Sequence, residues 1–153
     1  MVRVIQAPEE FAETGESIFL AGGISDCRDW QDDMIEMLDS FDGTILNPRR
    51  EVWPTWGADL DHQVGWERRH LAVATLRLFW FTSETVCPIT LFELGQTIGS
   101  SRPFVVGTHP AYGRRENVII QTRLATPEVR VVSSLEELAD SAMAWFEAEK
   151  VVA

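Results

Sequence analysis

The chain has 153 residues, 45% of them apolar, which suits one ordinary domain with a buried core and is too hydrophobic for a disordered segment. Acids outnumber bases 24 to 13, and the formal charge of −11 repels phosphate backbones, so no nucleic acid polymer is expected as a partner, although a small nucleotide held by a few local donors is compatible with it. No apolar run is long enough for a membrane-spanning helix, and the opening MVRVIQAPEEFAETGE carries acids in place of the apolar stretch of a secretory signal, so no membrane partner is expected.

In chain order, residues 1–16 read as an N-terminal extension to a single domain. Ser17 to Ala21 is a first strand ending at Gly22-Gly23. Trp30, Met34, Leu38 and Phe41 recur at helical spacing, with Asp26 placed to cap that helix. Gly43 to Leu46 is a short second strand closed by Asn47-Pro48. An irregular stretch runs from Arg49 to Asp61, and loops of that length are usually functional or mobile. His62 to Ala74 forms the next helix, with Asp61 as its cap. Leu76 to Phe81 (LRLFWF) is a third strand. Pro88 opens a helix reaching about Ser100, proline being favoured at the first helical position. Pro103 to Gly107 and Val129 to Val132 supply a fourth and a fifth strand. Ser134 and Glu137 form a capping box before the last helix.

Alternating strands and helices predict an α/β fold: a flavodoxin-like, doubly wound, five-stranded parallel sheet with helices on both faces. Ligands of such sheets sit beyond the carboxyl ends of the strands. That points to Gly22–Asp26, Asn47–Asp61, Thr82–Pro88 and Thr108–Asn117.

Glu93 is the leading candidate for chemistry. It sits in CPITLFELG among apolar neighbours, where a carboxylate is out of place unless it faces a partner or a cavity. Helical spacing puts Thr90, Glu93 and Thr97 on one stripe with Gln96 beside it, and the helix N-terminus favours the ionised form. Two roles fit: a nucleophilic carboxylate at a strand-to-helix mouth, or a solvated glutamate on a polar helix face. Gly22, Gly23, Ile24 and Ser25 either let a ligand approach the backbone or simply make a tight turn. Trp53 and Trp56, with Trp66 beyond, either stack on a nucleobase or pack as a lid. Arg49 and Arg50 bind an anion or pair with surface acids, and Arg114 and Arg115, after His109 and Tyr112, meet a phosphate or lie in a solvated loop. Asp59, Asp61, His62 and His70 match no standard zinc spacing, so no metal is expected. Cys27 and Cys87 lie far apart without a CxxC pattern and read as reduced, buried thiols of a cytoplasmic protein. Neither cysteine has a neighbouring histidine in sequence, and no serine stands in a GxSxG context.

FLAGGIS (Phe19–Ser25), NPRR (Asn47–Arg50), QVGWE (Gln63–Glu67) and FWFTSETVCPITLFELG (Phe79–Gly95) together resemble the nucleoside 2-deoxyribosyltransferase-like family, over roughly residues 17 to 125. The resemblance implies a flavodoxin-like homo-oligomer without a cofactor, acting on a nucleoside or nucleotide and cleaving the bond between a base and C1′ of deoxyribose. The family's nucleophile precedes Leu-Gly and maps onto Glu93, which would form a covalent deoxyribosyl intermediate as retaining glycosidases do. The implied substrate-binding residues are Gly22, Gly23, Ile24 and Ser25 in the first turn, and Asn47, Arg49 and Trp56 in the second. Phe81, Glu84, Thr85, Pro88 and Thr90 flank the third strand and the helix after it. Family members carry an aspartate where Ala74-Thr75 stands, and Glu84 is the only acid in the loop before the helix, so the proton donor to the base is unassigned. Hydrolysis of a 2′-deoxynucleoside 5′-monophosphate, and nucleotide binding without catalysis, are the alternative functions.

Overall fold

A computed structural model of the chain describes residues 1–12, 14–51 and 60–152. The elements in order are β1 (Arg3–Gln6), β2 (Ser17–Gly22), α1 (Trp30–Met37), β3 (Thr44–Asn47), α2 (Leu60–Val73), β4 (Leu76–Phe81), α3 (Pro88–Gly99), β5 (Phe104–Thr108), α4 (Arg115–Ala125), β6 (Val131–Val132) and α5 (Leu135–Val152). All the strands are parallel, in the order β1-β3-β2-β4-β5-β6.

The central strands are apolar on both faces because helices cover both. On β2, Ile18 and Leu20 join Trp30 and Met34 of α1, its C-cap Leu38, and Leu138, Ala142 and Phe146 of α5 in one core layer. Phe19 and Ala21 point the other way, into a layer with Trp66 and Leu71 of α2, Leu94 of α3 and Val118 of α4. On β4, Leu76, Leu78 and Trp80 alternate in the same manner with Phe79 and Phe81. Each such side chain contributes about 1.5–3 kcal/mol when fully buried. The chain leaves β2 toward β3 by way of α1, on one face, and leaves β4 toward β5 by way of α3, on the other. The carboxyl ends of β2 and β4 therefore flank the point where the winding reverses, the usual ligand position in such sheets.

The expected fold class holds, with one correction of strand number: among the described residues the sheet has six strands, not five. The extra one, β1, lies within the expected N-terminal extension. It pairs with β3 along the sheet edge and buries only Ile5 of its four residues, too little for an alternating pattern to stand out. The segment after it is also packed. His70 Nε2 accepts from the Phe11 N–H at 3.1 Å, so its Nδ1 carries the proton and donates to the Trp66 carbonyl at 2.7 Å. Trp66, stacked on His70, donates Nε1–H to the Glu9 carbonyl at 2.7 Å.

Other boundaries differ locally. Asp29, not Asp26, caps α1, accepting from the Asp32 N–H at 3.2 Å, while Asp26 takes a left-handed φ of 57° in the turn before it. Helix α2 begins at Leu60, which places Asp61 inside its first turn. Residues 115–125, for which the spacing predicts no element, form α4; only Val118 and Thr122 are fully buried on it, so its periodicity is faint. Strand β6 is two residues long rather than four. Ser134 does accept from the Glu137 N–H, at 3.2 Å, but the Glu137 carboxylate reaches the N–H of Ser133, one residue earlier than a standard capping box.

Two arginines close the α2–β4 junction. Arg77, the second residue of LRLFWF, is buried and donates Nε–H and Nη2–H to the carbonyls of Leu71 and Ala72, both at 2.9 Å, and Arg102 Nη1–H also donates to the Ala72 carbonyl. Those carbonyls belong to the last turn of α2, where the helix itself supplies no partners and the dipole favours a cation. Burial, helped by nearby Arg102, lowers the Arg77 pKa to about 10, so the group stays charged at neutral pH.

Candidate active site

A cleft of about 1340 Å³ opens between α2 and α3, with Phe19, Ala21 and Gly22 of β2 as its floor. Ile24, Ser25 and Asp26 form the rim at the carboxyl end of β2. The α2 wall carries Gln63, Glu67 and Leu71, spaced four apart on one helical stripe. The α3 wall carries Thr90, Glu93 and Thr97, with Gln96 beside them, so the stripe expected from spacing is the one that lines the cleft.

Glu93 is partly buried in that wall, and burial pushes its pKa up to about 8, with the Glu67 carboxylate adding to the rise. The expectation that the helix N-terminus would keep Glu93 ionised fails for a positional reason. Glu93 is the sixth residue of α3, beyond the first turn in which the dipole acts. Burial raises Glu67 as well, but two neighbours oppose it, Gln63 through a hydrogen bond and Arg50 through its charge. Gln63 donates Nε2–H to Glu67 at 2.7 Å and to the Pro48 carbonyl at 2.9 Å, while its own carbonyl accepts from Arg50 Nε–H. Two carboxyls thus share the cleft in unequal surroundings: burial raises both, Glu93 to about 8, while Gln63 and Arg50 restrain the rise on Glu67 alone. Unequal surroundings of this kind are what acid–base chemistry by a carboxyl pair requires.

The sequence agrees with this geometry. The family model described as "Nucleoside 2-deoxyribosyltransferase like" matches residues 15–112, from β2 through β5 and including both walls of the cleft. The chain belongs to that family. A solved structure, the crystal structure of a conserved protein from Enterococcus faecalis V583, shares the fold with a TM-score of 0.58 at 15% identity, over 83% of this chain and 96% of that one. No curated protein matches the chain.

Of the residues that the nucleoside 2-deoxyribosyltransferase-like pattern pointed to, Glu93, Gly22, Ile24, Ser25 and Thr90 come together at the cleft. The other described ones lie outside its lining. A Cβ on Gly22 would stand 2.7 Å from the Trp80 carbonyl and collide with the Trp30 ring, so packing alone requires glycine there. The Gly23 carbonyl accepts from Trp30 Nε1–H at 3.0 Å and Gln31 Nε2–H at 3.2 Å. Arg49 is fully engaged: it donates to the carbonyls of Cys27 and Arg28 and to the Gln31 side chain at 3.0–3.1 Å, and pairs with Asp29 at 3.2 Å. Asn47 Oδ1 accepts from the Arg49 N–H at 3.0 Å. Both residues thereby brace the β2–α1 turn from β3.

Phe81 is core, against the Tyr112 ring. Glu84 accepts from Thr82 Oγ1 and from the Arg28 N–H, and Thr85 Oγ1 accepts from the Cys87 N–H at 3.4 Å. Glu84 and Thr85 line a second, smaller cavity of about 360 Å³ with Tyr112 and Arg114. Pro88 occupies the first turn of α3, and Arg115 donates to Ser133 Oγ at 2.8 Å. Trp53, Trp56 and Asp59 lie outside the described residues. Among those residues no three His, Cys, Asp or Glu side chains gather as a metal site. Sequence reasoning missed Glu67 and Gln63, although the four-residue spacing of Gln63, Glu67 and Leu71 on one helix was there to be read.

Proposed function

We propose that the protein cleaves the N-glycosidic bond of 2′-deoxynucleosides and passes the sugar to a second base, with Glu93 as nucleophile and Glu67 as proton carrier. The observation that carries this reading is the pair of carboxyls facing one cleft, Glu93 raised by burial to about 8 and Glu67 with its rise restrained by Gln63 and Arg50. The proton that Glu93 holds at rest moves to Glu67. The Glu93 carboxylate then attacks C1′, the C1′–N bond breaks with its electron pair leaving on the base, and Glu67 returns the proton to that base. A second base attacks C1′ from the vacated face and releases Glu93, so configuration is retained over two displacements. Water in place of the second base gives hydrolysis.

A nucleoside is favoured over a nucleotide because three of the four arginines suggested for a phosphate are engaged elsewhere and the fourth, Arg114, lines the second cavity rather than the cleft. Arg49 holds backbone carbonyls, Arg50 holds Gln63, and Arg115 holds Ser133. The working unit in this proposal is a cytoplasmic homo-oligomer, since Leu60, Val64, Ile89 and Phe92 leave half or more of their surface exposed beside the cleft. No helix among the described residues is long and apolar enough to cross a membrane.

The test is incubation with a deoxynucleoside and a second free base, followed by chromatography. Exchanged nucleoside is expected, and none with Glu93→Ala. Full activity in Glu93→Ala, or base release from monophosphates but never from nucleosides, overturns the proposal.

A further inference from the structure

The two cysteines, sixty positions apart in sequence, meet beside Gly23. A Cβ built on that glycine would stand 3.1 Å from Cys27 Sγ and 3.3 Å from Cys87 Sγ, so the two sulphurs crowd the same side of the glycine, closer than a methyl group would allow. The pairing of β2 with β4 brings them there, because Cys27 lies in the turn after β2 and Cys87 stands immediately before α3, the helix after β4. We propose that Cys27 and Cys87 are an oxidation site, closing to a reversible disulfide in response to a peroxide.

The two thiols are unequal in a way that assigns their roles. Cys87 is 3% exposed, and its Sγ lies 3.6 Å from the Thr85 carbonyl, whereas solvent reaches Cys27 in part. Arg49 stands over Cys27, with its Nη2 3.0 Å from the Cys27 carbonyl. Burial raises both thiols above their usual range, and on Cys27 the guanidinium acts in the opposite direction, toward the thiolate that reacts with peroxides.

In the first step the Cys27 thiolate attacks one oxygen of hydrogen peroxide. The O–O bond breaks, hydroxide leaves and takes up the thiol proton as water, and Cys27 becomes a sulfenic acid. In the second, Cys87 Sγ attacks Cys27 Sγ, the S–O bond breaks, and a second water leaves with the Cys87 proton. Two thiols lose two electrons in all, and one peroxide is reduced to two waters. The bond fastens the turn carrying Ile24 and Ser25 to the start of the helix carrying Ile89 and Thr90, so it ties together two parts of the cleft lining.

The whole protein, reduced and then treated with excess hydrogen peroxide, is alkylated, digested with trypsin without reductant and analysed by mass spectrometry. The expected result is one linked peptide pair containing Cys27 and Cys87, lighter by two hydrogens than its parts and separated by dithiothreitol. Cys87→Ser should trap Cys27 as a sulfenic acid reactive toward dimedone, and Cys27→Ser should leave Cys87 alkylatable after the same treatment. Links between two copies of the chain, Cys27 driven to the sulfinic acid with Cys87 free, or both thiols alkylated in full after peroxide would each overturn the proposal. The wild-type measurement decides the matter even if neither serine variant folds.

Discussion

Glu67 and Glu93 reach one cleft from two separate helices, and the charge of the first makes the second harder to ionise. In the proposed reaction the proton that Glu93 holds at rest is the one that Glu67 delivers to the base, so the free enzyme is active only while the pair keeps that proton. We expect kcat/KM to fall as pH rises through about 8, measured with a deoxynucleoside whose own ionisation lies outside that range. A profile that instead rises through 8 and levels off would mean that neither carboxyl supplies the proton.

Glu67→Gln removes the neighbouring negative charge and should lower the Glu93 pKa, which a carbon-13 titration of labelled glutamate side chains would register. The same variant loses the proton carrier, and a fall in kcat of about 10²-fold or more is expected. An unchanged kcat would remove Glu67 from the mechanism.

Burial of Glu93 carries a stability cost that depends on pH. Its folded pKa, about 8, lies above the value of 4.5 for a free glutamate, so between those values the folded state binds a proton that the unfolded state has released. Stability contributed by the neutral carboxyl is therefore full below 4.5 and is lost as pH rises through 8. Glu93→Gln cannot ionise, and its Tm should exceed that of the parent at pH 8 by about 2–4 °C, equivalent to roughly 1 kcal/mol once screening by the solvent that still reaches the side chain is allowed for. The difference should shrink at pH 5, as calorimetry at the two pH values would show.

Arg77→Met keeps an unbranched apolar stem and removes the donors that hold the Leu71 and Ala72 carbonyls, leaving Ala72 with Arg102 alone. The lost charge-assisted bonds predict about 2–4 kcal/mol of destabilisation in urea unfolding. A loss below about 0.5 kcal/mol would mean that water replaces the guanidinium.

Phe92→Glu places a charge on the apolar rim of the cleft, where Phe92 is 61% exposed. If copies of the chain associate through this rim, sedimentation should shift toward the monomer while the circular dichroism of the fold is kept. Unchanged sedimentation would locate any assembly elsewhere.

The parts of the fold that were legible in the sequence are those that bury many side chains in a regular order. SIFLAG and LRLFWF are buried at every or nearly every position, and the Trp30–Met34–Leu38 spacing survives as the inner face of α1 with its C-cap. Strand β1 and helix α4 were not legible because each turns so few residues inward. At the site, the Glu93 stripe could be read because one helix contains it. Glu67 could not be assigned to it, since the two acids meet only through the crossover that lays α2 beside α3. Arg49 resembled an anion ligand because sequence does not reveal that three backbone or amide oxygens and Asp29 already occupy it.

The buried face of α3 is made of Thr90, Leu94 and Thr97, and the helix contains Gly95 and Gly99, with no atom near where a Cβ would stand. Two threonines and one leucine hold a helix less firmly than the aromatic and aliphatic residues that fix β2 and β4, and each glycine costs about 1 kcal/mol of helix stability relative to alanine. In deuterated water the amides of α3 should therefore exchange through local opening well before those of the central strands. A sugar lodged against Glu93 would then announce itself as slowed exchange along this one helix, before any product has formed.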